Sequence, residues 1–226
     1  MAISVTPRYV SDSISNVVDY LSSADLLLAQ TSISRSQEVV SWHPLQPGVP
    51  FLSHRMHPDA DQYRSWIDAG HYTCVLFDGS ILQMTYNISG RKISGHRLAY
   101  APCPWVLDTS LLEGGEPLSD ILDAYRNEQC ALRSPVRIDY DPTASRAGHP
   151  SVHLTFNSVD CRIACIAPIS PHRFADFIFK HFYNDYWHAH RVFFQTASAS
   201  HIGEPTITDE DSDDIHMAWN SRLQVS

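Results

Sequence analysis

Between Asp12 and Gln30 the apolar positions Ile14, Val17, Val18, Leu21 and Leu28 recur at helical spacing, with Ser11 or Asp12 placed to cap the first turn. A loop marked by Pro44, Pro47, Gly48 and Pro50 follows. Pro58 then opens a second predicted helix, with Tyr63, Trp66 and Ile67 on one face and Gly70 as its terminator. The period changes after Gly70. His71–Phe77, Ser80–Asn87 and Arg91–Ala101 are β-rich runs, separated by Asp78-Gly79 and Ser89-Gly90. Asp-Gly predicts a two-residue hairpin, because a type I′ turn needs positive φ at both central positions. Pro102 and Pro104 end this meander, since proline cannot donate to a ladder.

Leu118, Ile121, Leu122 and Tyr125 give a short helix within Pro117–Asn127. Three strand-like runs follow: Pro135–Asp141, Val152–Asn157 and Cys161–Ile166. Ser170-Pro171 starts the last helix, with serine as cap and proline at the first helical position. Phe174, Phe177, Ile178, His181 and Phe182 form its predicted apolar stripe, and Asp176 and Lys180 sit four apart on its outer side. The expected fold is α+β: antiparallel hairpins whose apolar face is covered by amphipathic helices. One domain is expected over residues 1–205, helical over about 11–70 and with the sheet and its helices over 71–190. The acidic run from Thr206 to Asp214 predicts a self-repelling, mobile tail over 206–226.

Alternate strand residues share a face. Arg137, Asp139 and Asp141 therefore point one way, and Val136, Ile138 and Tyr140 the other. With the tip of the next hairpin near Ser158-Val159, Phe156 faces Cys161, Leu154 faces Ile163 and Val152 faces Cys165, all apolar pairs. The same register sets Thr155 beside Arg162 and His153 beside Ala164. A slip of one residue would mix the faces. The outcome is an apolar face for the helices and a polar face bearing Arg137, Asp139, Asp141, His153, Thr155 and Arg162. Histidine moves protons near neutral pH, and arginine holds phosphate or carboxylate bidentately. His153, Arg137, Arg162 and Asp139 are the catalytic candidates, and Asp141, Thr155 and His149 the ligand-binding ones. The structural alternative is a set of Arg–Asp pairs on a solvated sheet face.

Composition narrows the function. Hydrophobic residues make up 43% of the 226-residue chain, enough for a sizeable core, and the net charge is −9. General nucleic-acid or membrane-surface binding is thereby disfavoured, because it rests on lysine and arginine. Nucleic acid is expected only through a local patch. No secretory leader is expected, since Ser4–Tyr9 shows no charged region followed by an apolar one, and no apolar run in the sequence reaches membrane length. Five scattered cysteines without a C-x-x-C pair read as reduced thiols, so a cytoplasmic location is expected.

His149, His153, Cys161 and Cys165 have zinc-ligand residue types. Four residues along a strand span about 13 Å, however, and the register turns His153 away from both cysteines. No metal and no cofactor is expected. Cys103 lacks a local base, and His181 reads as a core histidine. His188 and His190 would share a strand face at a loop or edge. Gly114-Gly115 is too short to cradle phosphate, and neither a Walker lysine nor G-x-S-x-G or H-E-x-x-H occurs.

The order Ser134-Pro135-Val136-Arg137-Ile138-Asp139-Tyr140-Asp141-Pro142, His149-Pro150, His153-Leu154-Thr155-Phe156, Cys161-Arg162-Ile163 and Pro168-Ile169-Ser170-Pro171 resembles the bacterial family known as domain of unknown function 2290. Gly95-His96-Arg97-Leu98-Ala99-Tyr100 and Pro102-Cys103-Pro104 fit it too, so the resemblance runs from about Tyr72 to Tyr183. Ala164 departs from it, standing where the family's run has a proline; proline there would mark an edge strand or bulge. The resemblance transfers no catalytic residue. It implies an accessory bacterial protein, in some cases from mobile or defence-type neighbourhoods.

The first expectation is thus a subunit acting through a protein partner in a module such as antiviral defence or a toxin–antitoxin system. The second is a metal-independent phosphodiesterase or nuclease, with His153 as base and Arg137 and Arg162 on the phosphate. The third is a small-ligand or peptide-binding module using the same face.

Overall fold

The computed structural model describes residues 4–43, 59–131, 133–156, 161–197 and 202–213. The proline loop at 44–50, Pro58 and the hairpin tip at Ser158-Val159 lie outside them. Helix α1 spans Pro7–Ser23, starting earlier than the apolar spacing predicts. Thr6 caps it, its hydroxyl accepting the Tyr9 N–H, and Pro7 supplies the preset φ of the first helical position. It stops at Ala24, because Asp25 turns left-handed (φ 56°). The Leu26 N–H then reaches the Leu21 carbonyl and the Asp25 N–H the Ser22 carbonyl.

The segment expected to be helical to residue 70 therefore contains strands: β1 (Leu27–Gln30), β2 (Ile33–Arg35) and β3 (Val39–Trp42). Helix α2 (Ala60–Asp68) is capped by Asp59 and closed by Gly70 at φ 65°. Strands β4 (Cys74–Leu76), β5 (Ile81–Ser89) and β6 (Lys92–Ala101) form the predicted meander. Its first turn is not type I′: only Gly79 has positive φ, while the Gly79 N–H bonds the Leu76 carbonyl and the Leu76 N–H the Ser80 carbonyl. That is a three-residue loop with glycine in the left-handed position. The second turn does have two positive φ values, at Gly90 and Arg91.

Helices α3 (Thr109–Glu113) and α4 (Leu118–Ala124) precede β7 (Val136–Tyr140), β8 (Val152–Phe156) and β9 (Arg162–Ala164). Among the described residues the strands form one antiparallel sheet in the order β1-β4-β5-β6-β7-β8-β9, with β3 on β5 beyond β4 and β2 on β3. The β8–β9 register is the one the alternation predicts: His153 opposite Ala164, Leu154 opposite Ile163, Thr155 opposite Arg162.

Helix α5 (Pro171–Phe182) starts as expected, with Ser170 accepting the Arg173 N–H. Its buried stripe is Phe174, Ala175, Ile178 and Phe179; His181 is exposed and Phe182 partly so. Asp176 is buried rather than outward, because it accepts the indole N–H of Trp187 at 2.7 Å. Trp187 and His188 lie on a helix, α6 (Asn184–Ala189), and α7 (Arg191–Ala197) follows. The expectation of a strand at His188 and His190 is thus corrected. Beyond residue 201, Ile202 is buried, Thr206 and Ile207 donate to the Ile166 carbonyl, and Asp209–Asp213 forms α8.

The two sheet faces differ. On the first, Met84, Leu98, Ile138 and Leu154 pack under the apolar stripes of α1 and α5. On the second, α2 and α4 set Tyr63, Trp66, Ile121 and Leu122 over Val75, Ile81, Ala99 and Ala101. That second face turns polar beyond Ala99.

Candidate functional site

Pairing places the polar side chains in two rows across the sheet. One runs Thr85–Arg97–Asp139–His153–Ala164, the other Gln83–Ala99–Arg137–Thr155–Arg162. The face is not solvated: Arg137 and Asp139 are 7% and 6% exposed, His153 3% and Thr155 0%. Arg97, Arg162 and His149 are half-buried and form its open margin.

Asp139 is the hub. Its Oδ1 accepts from Arg97 Nε at 2.8 Å and its Oδ2 from Arg137 Nε at 2.5 Å. His153 Nε2 stands 3.9 Å from Oδ2. Burial lowers the Arg137 pKa against the pull of Asp139. A buried carboxylate between two guanidiniums is a costly arrangement to break: removing one partner strands a charge, at about 3–5 kcal/mol.

The two imidazoles are held by backbone carbonyls. His153 Nδ1 lies 2.9 Å from the Pro150 carbonyl and His149 Nδ1 2.7 Å from the Ala144 carbonyl, with ring centroids 4.8 Å apart. A carbonyl only accepts, so each Nδ1 carries the proton and each Nε2 is left with a lone pair. Burial lowers the His153 pKa, so its neutral, basic form prevails at neutral pH.

Thr155 is the unexplained member. Its hydroxyl is fully buried between Arg137 and Arg162 in the register and has no hydrogen-bond partner. A buried polar atom left unmade costs about 1–3 kcal/mol, and native structures rarely keep one without a reason.

The structure thus brings together His153, Arg137, Arg162, Asp139, Thr155 and His149 of the predicted residues. Asp141 stays outside: its Oδ1 accepts the N–H and hydroxyl of Thr143, which closes the β7–β8 loop and holds its pKa low. Sequence reasoning missed Arg97. Alternation along β6 sets Arg97 opposite in face to Leu98, but only the β6–β7 pairing brings it to Asp139. Of the zinc-type residues, Cys165 packs on the first face and His153 lies on the second. Among the described residues no three His, Cys, Asp or Glu side chains are grouped to hold a metal ion. Burial raises the pKa of the Cys103 thiol, which suits packing and not nucleophilic attack. Among the described residues, no helix is long and apolar enough to cross a membrane.

Fold and site together define an α+β protein that covers one sheet face and part of the other with helices and keeps an arginine-rich polar cluster on the rest of the second face. The family model described as an uncharacterized conserved protein, DUF2290, matches residues 26–219, and the chain belongs to that family. No curated protein and no solved structure matches it.

Proposed function

We propose that this chain binds a phosphate ester on the second face of its sheet. The observation that carries the reading is the buried, unpartnered Thr155 hydroxyl between Arg137 and Arg162. Three guanidiniums (Arg97, Arg137, Arg162) come together there, Arg97 and Arg137 on the two oxygens of Asp139, inside a chain of net charge −9. An oxyanion admitted by movement of the half-buried margin of Arg97, Arg162 and His149 would accept the Thr155 O–H and meet arginine forks bidentately. Thermal-shift titration tests it. Adenosine monophosphate should raise the melting temperature by mass action, and adenosine should not. Thr155→Val and Arg162→Ala should each weaken that response about tenfold or more, since a hydrogen bond to a charged group is worth about 1.5–3 kcal/mol. No stabilisation by phosphate, mononucleotide or oligonucleotide would remove the reading.

Action through a protein partner is the second reading, favoured by exposed apolar side chains on α5–α7. Val192 is 81% exposed, and Tyr186 and Phe182 are partly so. Val192 and Phe193 line a groove of about 670 Å³ against Asn16, Tyr20 and Ser23 of α1. Recovery from the native host as a lone monomer would count against this reading.

A further inference from the structure

We infer that the hollow beside Trp105 docks a proline-rich segment of a protein partner, held in the extended polyproline helix and carrying a basic residue at one end. None of the residues involved belongs to the arginine cluster, and the surface is separate from the groove between α1 and α7.

Two stretches of chain build the hollow. Pro102 and Pro104 keep the residues after β6 out of the sheet, since proline has no N–H to give a ladder. The stretch after α4 returns beside them and is tied there twice. The Asp108 N–H donates to the Tyr125 hydroxyl at 2.9 Å, and the Ala131 N–H to the Pro104 carbonyl at 2.6 Å. Residues at and between these ties, Trp105, Val106, Tyr125 and Glu128 among them, line a hollow of about 450 Å³.

The lining sets what fits. Trp105 is 4% exposed and meets the Tyr63 ring edge to face, yet its indole N–H is buried without an acceptor. A buried donor left unmade is costly, so an acceptor belongs there. Val106 is 70% exposed, an apolar side chain left to be covered. The Tyr125 hydroxyl is engaged by Asp108, so what this residue has left to offer is its ring. Glu128 is exposed, and no lysine or arginine is among the described lining residues. The occupant therefore brings an apolar body, a free acceptor and no negative charge.

A helix or a paired strand uses its carbonyls in its own ladder. A polyproline segment has no internal hydrogen bonds, so each carbonyl is free to accept the Trp105 N–H. Its pyrrolidine rings are apolar and lose almost no side-chain freedom on docking, and aromatic-lined grooves bind such segments. A lysine or arginine at one end meets Glu128 and fixes the direction. Because the N–H is enclosed, Val106 and the exposed residues 126–130 yield as the carbonyl enters.

The experiment titrates the full chain into fluorescein-labelled proline–leucine peptides of P-x-x-P spacing, with an arginine at the first end, at the last end or absent, and reads anisotropy. One arginine-bearing peptide should bind saturably, and a copy with glycine for proline at least tenfold more weakly, because it is not preorganised. Val106→Asp should weaken binding about tenfold or more. Glu128→Lys should cost about fivefold and restore binding to a peptide with glutamate in place of arginine. Both side chains are exposed, so both variants should melt as the wild type does. Trp105→Phe keeps a ring without the donor and should lose about three- to tenfold. No saturable binding of any peptide, equal binding of the glycine copy, or affinity untouched by Val106→Asp each overturns the proposal. A dimer in sedimentation that Val106→Asp dissolves, with no peptide bound, overturns it in favour of a second copy of the chain.

Discussion

His96 lies on the first face of the sheet between the rings of Tyr86 and Tyr140, and its Nε2 accepts the Ile169 N–H at 3.0 Å. Its Nδ1 is buried without a partner, so charging this ring has little to stabilise it. Burial pulls its pKa down to about 4, against the attraction of Asp139 and with the repulsion of His153. The unfolded chain titrates it near the ordinary value of about 6.5. The contribution to stability is therefore complete above about pH 6.5 and is lost as pH falls toward 4, because the unfolded state then binds the extra proton. About 2 kcal/mol should go between about pH 7 and pH 5 from this residue. Burial lowers the pKa of His153, His71 and His172 in the same direction. The check is urea unfolding at both pH values for wild type and His96→Gln. Gln keeps an acceptor for Ile169 but does not titrate, so its acid loss should be smaller by that amount. An equal loss in both proteins would mean that other groups carry the acid sensitivity.

At the scale of elements, the two ends of α1 show what was and was not legible. Thr6-Pro7 is the same cap-and-proline signal as Ser170-Pro171, which places α5 correctly. The start expected at Ser11 or Asp12 passes over it, because the counted apolar positions begin at Ile14, although Val10 is as buried as they are. The C-terminal end carried a weaker signal: Leu28 falls seven residues after Leu21, a helical distance, and no glycine marks the stop. Asp25 does that work at φ 56°, where an L side chain costs about 1–2 kcal/mol, and it adds a carboxylate at the negative end of the helix. Asp25→Gly should therefore stabilise the fold by about 0.5–1 kcal/mol, the strain relief being partly offset by the freer unfolded chain. The denaturation midpoint should rise with an unchanged m-value. A midpoint that falls would show that the Asp25 side chain makes a compensating interaction.

Across the whole molecule, legibility followed sequence distance. The β8–β9 register could be read because both strands alternate cleanly and lie close together, so one slip spoils every pair. The β6–β7 pairing could not, since Arg97 and Asp139 are 42 residues apart and no local pattern joins them. Burial of the polar face was hidden for the same reason: alternation tells which residues share a face, not what lies over it. The closed pairing concentrates cationic groups in one place on an acidic chain, and this has a measurable consequence for nucleic-acid binding. Long-range charge repels a polyanion, while three arginines attract it locally, so counterion release should reflect only those few contacts. For single strands at about 0.7 ions per phosphate neutralised, log K against log salt should fall with a slope of about −2. Anisotropy titrations of a single-stranded oligonucleotide between about 50 and 200 mM salt measure it. Arg162→Ala should flatten the slope by about 0.7. A slope beyond about −4 would require more phosphate contacts than this face can supply, and would move the nucleic-acid surface elsewhere on the molecule.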